Sequence, residues 1–254
     1  MERKRYMYEK NKEINNFTQH KLIESIVLHL LPGLFLFITF ISLTPILQTH
    51  GIPPILTFSV LALITCGLEL GIICIRESIP PRHIWGNILN QDKKLTKQKF
   101  VGLVLGFLVI ATVLISVLSF FDQELLKLLH LPEWFVFDGL EDFTSSNKML
   151  SYITVFAFLV ITAFIVPISE EIYFRGYLLQ HMPIQSIYGA ILNAFLFTIY
   201  HAYSFYSFFG IFGSSLILAV AYWKYGNIKL VITLHVIANT LTKLSIAFMV
   251  LQVL

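Results

Sequence analysis

Two adjacent glutamates, Glu170 and Glu171, sit in a largely apolar stretch that runs on through Tyr173 and Phe174 to Arg175. Further along, His201 follows Phe197 by four positions, and His235 precedes Asn239 by four. Carboxylates, imidazoles and a carboxamide are the side chains that move protons and bind developing oxyanions. On a helix, Glu171 and Arg175 are i and i+4 with the acid toward the N-terminus, the favourable order for an ion pair. Glu170 is turned about 100° away and lacks that partner. One glutamate is thus held by arginine while its neighbour is free to accept a proton. His235 and Asn239 are also i, i+4 and present side by side on one helix face.

Each group alone has an ordinary structural explanation. An intramembrane histidine often serves as a hydrogen-bonding group between helices, and a Glu–Arg pair can lock two helices together. Against that, a charge at the centre of a membrane span costs about 2.5–3.5 kcal/mol on insertion scales and needs a partner or a purpose. Three such groups in succession shift the balance toward purpose.

The elements that must carry them are apolar helices. Of 254 residues, 56% are hydrophobic and only 13% charged, about half the charged share of an ordinary soluble domain. The apolar residues fall in seven runs, each near the ~20 residues that cross a bilayer: 25–48, 54–75, 100–121, 150–169, 186–203, 205–222 and 230–253. The fourth should continue as helix to about residue 181, before Pro183. The leucine-rich segment 122–135 is too short to span and reads as an interfacial helix anchored by Trp134. The expected fold is an all-α polytopic transmembrane bundle. Its parts are a basic tail (1–24), three N-terminal spans (25–121), an acidic loop (122–149) and a four-helix core with the polar groups (150–254). The first 24 residues lack a cleavage-site pattern and read as a retained tail rather than a signal peptide.

Lysine and arginine set the orientation. All but Lys127, Lys148 and Lys243 lie in or near the tail and the connections on its side, which makes the N-terminus cytoplasmic. Helical rise from the loop ends puts the three polar groups at overlapping depths, buried but nearer the cytoplasmic side. Nucleic acid is not an expected partner, since the net charge is only +3. Cys66 and Cys74 share one apolar run without ligand spacing, which argues against a disulfide framework or structural zinc.

EExxxR, FxxxH and HxxxN on successive spans make this sequence resemble the CAAX-protease and bacteriocin-processing family, and within it the type II CAAX prenyl proteases. The resemblance covers roughly residues 150–245 and rests on Glu170-Glu171-Arg175, Phe197-His201 and His235-Asn239. It implies an endopeptidase of the cell membrane in which Glu170 activates water with help from His201. His235 and Asn239 would bind the oxyanion, and Glu171 with Arg175 would fix the geometry, Glu171 sharing base work as an alternative. No cofactor is required on this reading. Zinc is the alternative, and its ligands would be Glu170, His201 and His235. The implied substrate is a membrane-associated peptide or protein, either a prenylated CAAX protein or the leader of a bacteriocin or signalling peptide. By analogy the bacterial plasma membrane is the expected location, and an accessory membrane protein is a further partner to consider. The rival reading is a non-proteolytic regulator or bacteriocin self-immunity protein. A transporter ranks third, because no paired broken helices mark two matching halves. Glu69 and Lys243 also carry intramembrane charge. Hydrogen bonding to a neighbour and outward snorkelling are their expected roles. Tyr173, Tyr200 and Tyr203 are candidates to line a cavity.

Overall fold

A computed structural model describes residues 19–89, 92–130 and 139–254. Among these, all regular structure is helical. We label the helices α1 (Leu22–Thr49), α2 (Pro54–Glu77), α3 (Pro81–Leu89), α4 (Lys97–Leu129), α5 (Lys148–His181), α6 (Ile187–Tyr200), α7 (Phe208–Tyr225) and α8 (Ile228–Val253). Six are long and apolar enough to cross a bilayer, α7 being counted with the 3₁₀ turn before it; α6 is a shorter apolar helix beside them. The seven apolar runs therefore correspond to seven helices, with ends shifted by a few residues.

Helix ends are set by local chemistry. Thr96, Ser186 and Asn227 cap α4, α6 and α8 by accepting the backbone N–H of Lys99, Tyr188 and Leu230, as N-cap side chains do. The cap of α7 comes from another helix: Asp122 of α4 accepts the N–H groups of Phe209 and Gly210 at 2.7 and 2.9 Å. That bond bears on one expectation that fails. Residues 122–129 do not form a separate interfacial helix but continue α4 without a break to Leu129. Asp122, which looks like the start of a polar loop, has a partner inside the bundle, so the helix has no reason to stop there. Trp134 lies outside the described residues, as does most of the expected basic tail.

Two ends of the bundle emerge from the contacts. Lys93 donates its N–H to the Gly226 carbonyl, and His20 donates to that of His181. The second-to-third connection thus meets the turn before α8, and the start of α1 meets the end of α5. Lys93, Lys94, Arg82 and Lys224 all belong to this basic end. Arg175, expected near the same surface, is instead fully buried. Within the connection, α3 was not anticipated; it turns Ile84 and Ile88 into the core, where Ile88 packs on Gly176 of α5. At the opposite end, Ser145 donates to the Gly51 carbonyl and Lys148 to that of Leu254.

The helix that carries the two glutamates is not uniform. Phe158–Ile165 and Glu171–Leu178 are π-helical, with Val166 N–H reaching Ile161 and Leu179 N–H reaching Phe174, five residues back. Only Val166–Glu170 between them is α-helical. Such π segments inside helices concentrate at functional sites, because they re-aim side chains that a regular helix would space evenly.

Candidate active site

Glu170 stands at the junction of the second π segment, 2% exposed. His201 is the last residue before α6 gives way to the 3₁₀ turn Ala202–Ser207, and His235 lies two turns into α8. The three converge. Glu170 Oε1 is 3.5 Å from His201 Nε2, and Oε2 is 3.8 Å from His235 Nε2. These separations exceed a good hydrogen bond, and Glu170 Oε1 is a buried oxygen without a hydrogen-bond partner.

Both imidazoles are oriented from behind. His201 Nδ1 is 2.9 Å from the Phe197 carbonyl, a contact in which the ring nitrogen is the donor. His235 Nδ1 is 2.8 Å from Glu171 Oε1. Each ring therefore turns Nε2 toward Glu170. The same Glu171 oxygen accepts from Arg175 Nη1 at 3.0 Å. Arg175 is fully enclosed: Nη2 donates to the Ser215 hydroxyl and carbonyl, and the guanidinium lies 4.4 Å above the Phe197 ring centroid. The phenylalanine of the second motif thus acts as a platform for the arginine of the first.

The pairing of Glu171 with Arg175, and the different setting of Glu170, agree with the spacing argument. Asn239 shares the cluster's cavity with His235, while its amide donates to the Thr162 carbonyl at 3.2 Å, in the first π segment. Of the three tyrosines, Tyr200 and Tyr203 line the cavity. Tyr173 is buried elsewhere and donates to the Leu28 carbonyl.

Sequence reasoning underrated Glu69. Fully buried on α2, it accepts hydrogen bonds from Ser169 and Tyr200 hydroxyls, both at 2.9 Å. Those donors immediately precede Glu170 and His201, so one carboxylate ties both motifs in place. Its only sequence signal was a charge in an apolar run. Arg76, the cation nearest in sequence, pairs with Glu24 instead. Close approach of α1 completes the clamp: a Cβ at Gly33 would collide with the Tyr200 carbonyl oxygen. Glu69→Ala would leave two buried hydroxyls without an acceptor, at about 1–3 kcal/mol for each unsatisfied group. We expect a lower melting temperature in detergent together with reduced activity.

A cavity of about 430 Å³ reaches this cluster, within the range of sites that take drug-sized ligands. Its walls run from Glu170, His201 and His235 past Asn239 to Phe143, Ile55 and Ile246. From the cluster the cavity extends to Ile55 and Phe143, near the end opposite the basic connections. Among the described residues, no group of three or more His, Cys, Asp or Glu side chains is arranged to hold a metal ion.

Fold and cluster together define a polytopic membrane protein with a carboxylate buried between two imidazoles and facing a cavity. Residues 152–241 match the family model described as type II CAAX prenyl endopeptidase, Rce1-like. That segment runs from α5 into α8, about a third of the chain, so the similarity to these endopeptidases covers the Glu170, His201 and His235 cluster. No curated protein and no solved structure matches the chain.

Proposed function

We propose that the chain is an intramembrane endopeptidase in which Glu170 is the general base. The observation that carries this reading is the unpartnered Glu170 oxygen, buried at a cavity wall and faced by two imidazole Nε2 atoms from separate helices. Gaps of 3.5 and 3.8 Å are longer than direct hydrogen bonds and leave the three atoms able to share a water seated beside them at the cavity wall. Glu170 takes a proton from that water as its oxygen adds to the scissile carbonyl, His201 Nε2 holds the water in line, and when the C–N bond breaks Glu170 returns the proton to the leaving amine. The Asn239 amide donates to the oxyanion formed on the scissile carbonyl, and His235, whose Nδ1–H is committed to Glu171, adds a second donor from Nε2 in its doubly protonated form. Glu171 and Arg175 take no part in bond making; they fix the His235 ring and the backbone around Glu170.

The family match favours a substrate with a C-terminal CAAX box, in which the cysteine carries the prenyl group. Leader-peptide processing of a bacteriocin or signalling peptide is the other substrate class that the same chemistry serves. A purified sample should cleave a fluorescent farnesylated CAAX-tailed peptide, with products identified by mass spectrometry. Cleavage is expected to persist in EDTA and 1,10-phenanthroline, and elemental analysis to find no stoichiometric zinc. One zinc per chain, lost with activity and restored with it, would recast Glu170, His201 and His235 as ligands. Failure to cleave either substrate class, in a protein that melts cooperatively, would favour the regulatory reading.

A further inference from the structure

Lys243 was expected to snorkel outward; instead it lines the cavity. Its amine sits 5.0 Å from the Phe158 ring centroid; Glu170 is the carboxylate whose charge reaches it, and among the described residues the two form no ion pair. Phe158, Phe143, Ile55 and Ile246 form the apolar part of the lining, and Thr162 and Asn239 belong to its polar part. A cation held over an aromatic ring in such a place gains part of its stabilisation from the ring, but an anion brought in by a ligand would complement it far better.

Resting on the endopeptidase reading, we propose that Lys243 binds the free α-carboxylate at the C-terminus of the substrate. The distance supports this assignment. Lys243 is two helical turns beyond His235 on α8, about 12 Å by helical rise. Phe158, beneath the amine, is three turns before Glu170 on α5, about 18 Å by the same rise. An extended chain covers about 3.3–3.6 Å per residue, so the carboxylate would lie about three to five residues past the scissile bond. A CAAX box has three residues after its cysteine, at the near end of that range. The cavity that holds both base and lysine has apolar walls at Phe158, Phe143, Ile55 and Ile246 that could take their side chains, and about 430 Å³ accommodates a few residues. Lys243 is then a specificity residue: it selects chains that end at the right distance and takes no part in bond breaking.

The test compares two farnesylated CAAX-tailed peptides of identical sequence, one a free acid and one a C-terminal amide. Wild-type protein should favour the acid in kcat/KM by about 10–100-fold, the range for a hydrogen bond to a charged group. Lys243→Gln should reduce the acid-to-amide preference to about one, and Lys243→Arg should restore most of it. An amide peptide with a glutamate at its last position separates the α-carboxylate from any nearby acid; it should not recover the preference. Equal cleavage of acid and amide by wild type would overturn the carboxylate subsite while leaving the endopeptidase intact. So would an undiminished preference in Lys243→Gln. Binding of the same peptides to the Glu170→Gln protein, read by fluorescence anisotropy, reports independently of turnover. If that protein discriminates acid from amide only when Lys243 is present, the subsite stands even where cleavage fails; equal binding overturns it.

Discussion

Glu170→Gln should insert, accumulate and melt like the wild type, yet cleave substrate at a rate lower by 10²–10⁴-fold, the typical contribution of a general base. The substitution keeps the size and shape of the side chain and removes only its basicity. The charge makes only long contacts: Glu170 Oε1 has no hydrogen-bond partner, and the two imidazoles stand 3.5 and 3.8 Å away. Losing these long contacts offsets the relief of burying a charge, so the melting temperature in detergent should change little. His201→Ala should show a comparable loss of activity. It should also show a modest loss of stability, because the His201 ring packs on Phe197, Tyr200 and Tyr203. Initial rates on a peptide substrate, measured beside a thermal melt of each variant, give both quantities. Full activity in a well-folded Glu170→Gln protein would remove Glu170 from the chemistry.

The sequence makes the spans legible because bilayer-crossing helices must be continuously apolar and about 20 residues long. Which polar side chains would gather into one cluster was legible for a related reason. Polar residues in such runs are costly, so Glu170, Glu171, Arg175, His201 and His235 draw attention individually, and i, i+4 spacing pairs Glu171 with Arg175 correctly. What spacing does not carry is the departure from regular helix. The two π segments of α5 change which side chains share a face, and hydrophobic periodicity carries no mark of a hydrogen bond made five residues back rather than four. Partnerships between helices were equally hidden. Asp122 looks like a loop residue until α7 is seen to begin beside it. Glu69 looks like an isolated charge until Ser169 and Tyr200 are placed against it. Lys243 could face lipid or cavity with the same neighbours in sequence; the packing of α5 against α8 turns it inward.

Arg175→Ala should act in the opposite way to Glu170→Gln, destroying the fold's centre before it touches the chemistry. Arg175 and Glu171 are both fully buried and 3.0 Å apart. Removing the guanidinium leaves Glu171 as a buried carboxylate whose remaining partner is the His235 ring, and strips the Ser215 hydroxyl and carbonyl of their donor. It also empties the space above Phe197. Breaking a buried ion pair from one side typically costs 3–5 kcal/mol, on the order of 10 °C in melting temperature for a protein of this size. Abundance in the membrane should fall in parallel. Arg175→Lys should recover only part of the loss, because an ammonium has no fork with which to hold Glu171 and Ser215 together. The double variant Glu171→Gln, Arg175→Met should melt above Arg175→Ala, since neither charge is then left alone. It should remain poorly active, because a glutamine holds the His235 ring less firmly than a carboxylate. A fully stable but inactive Arg175→Ala protein would contradict this account and move the arginine from support into substrate binding.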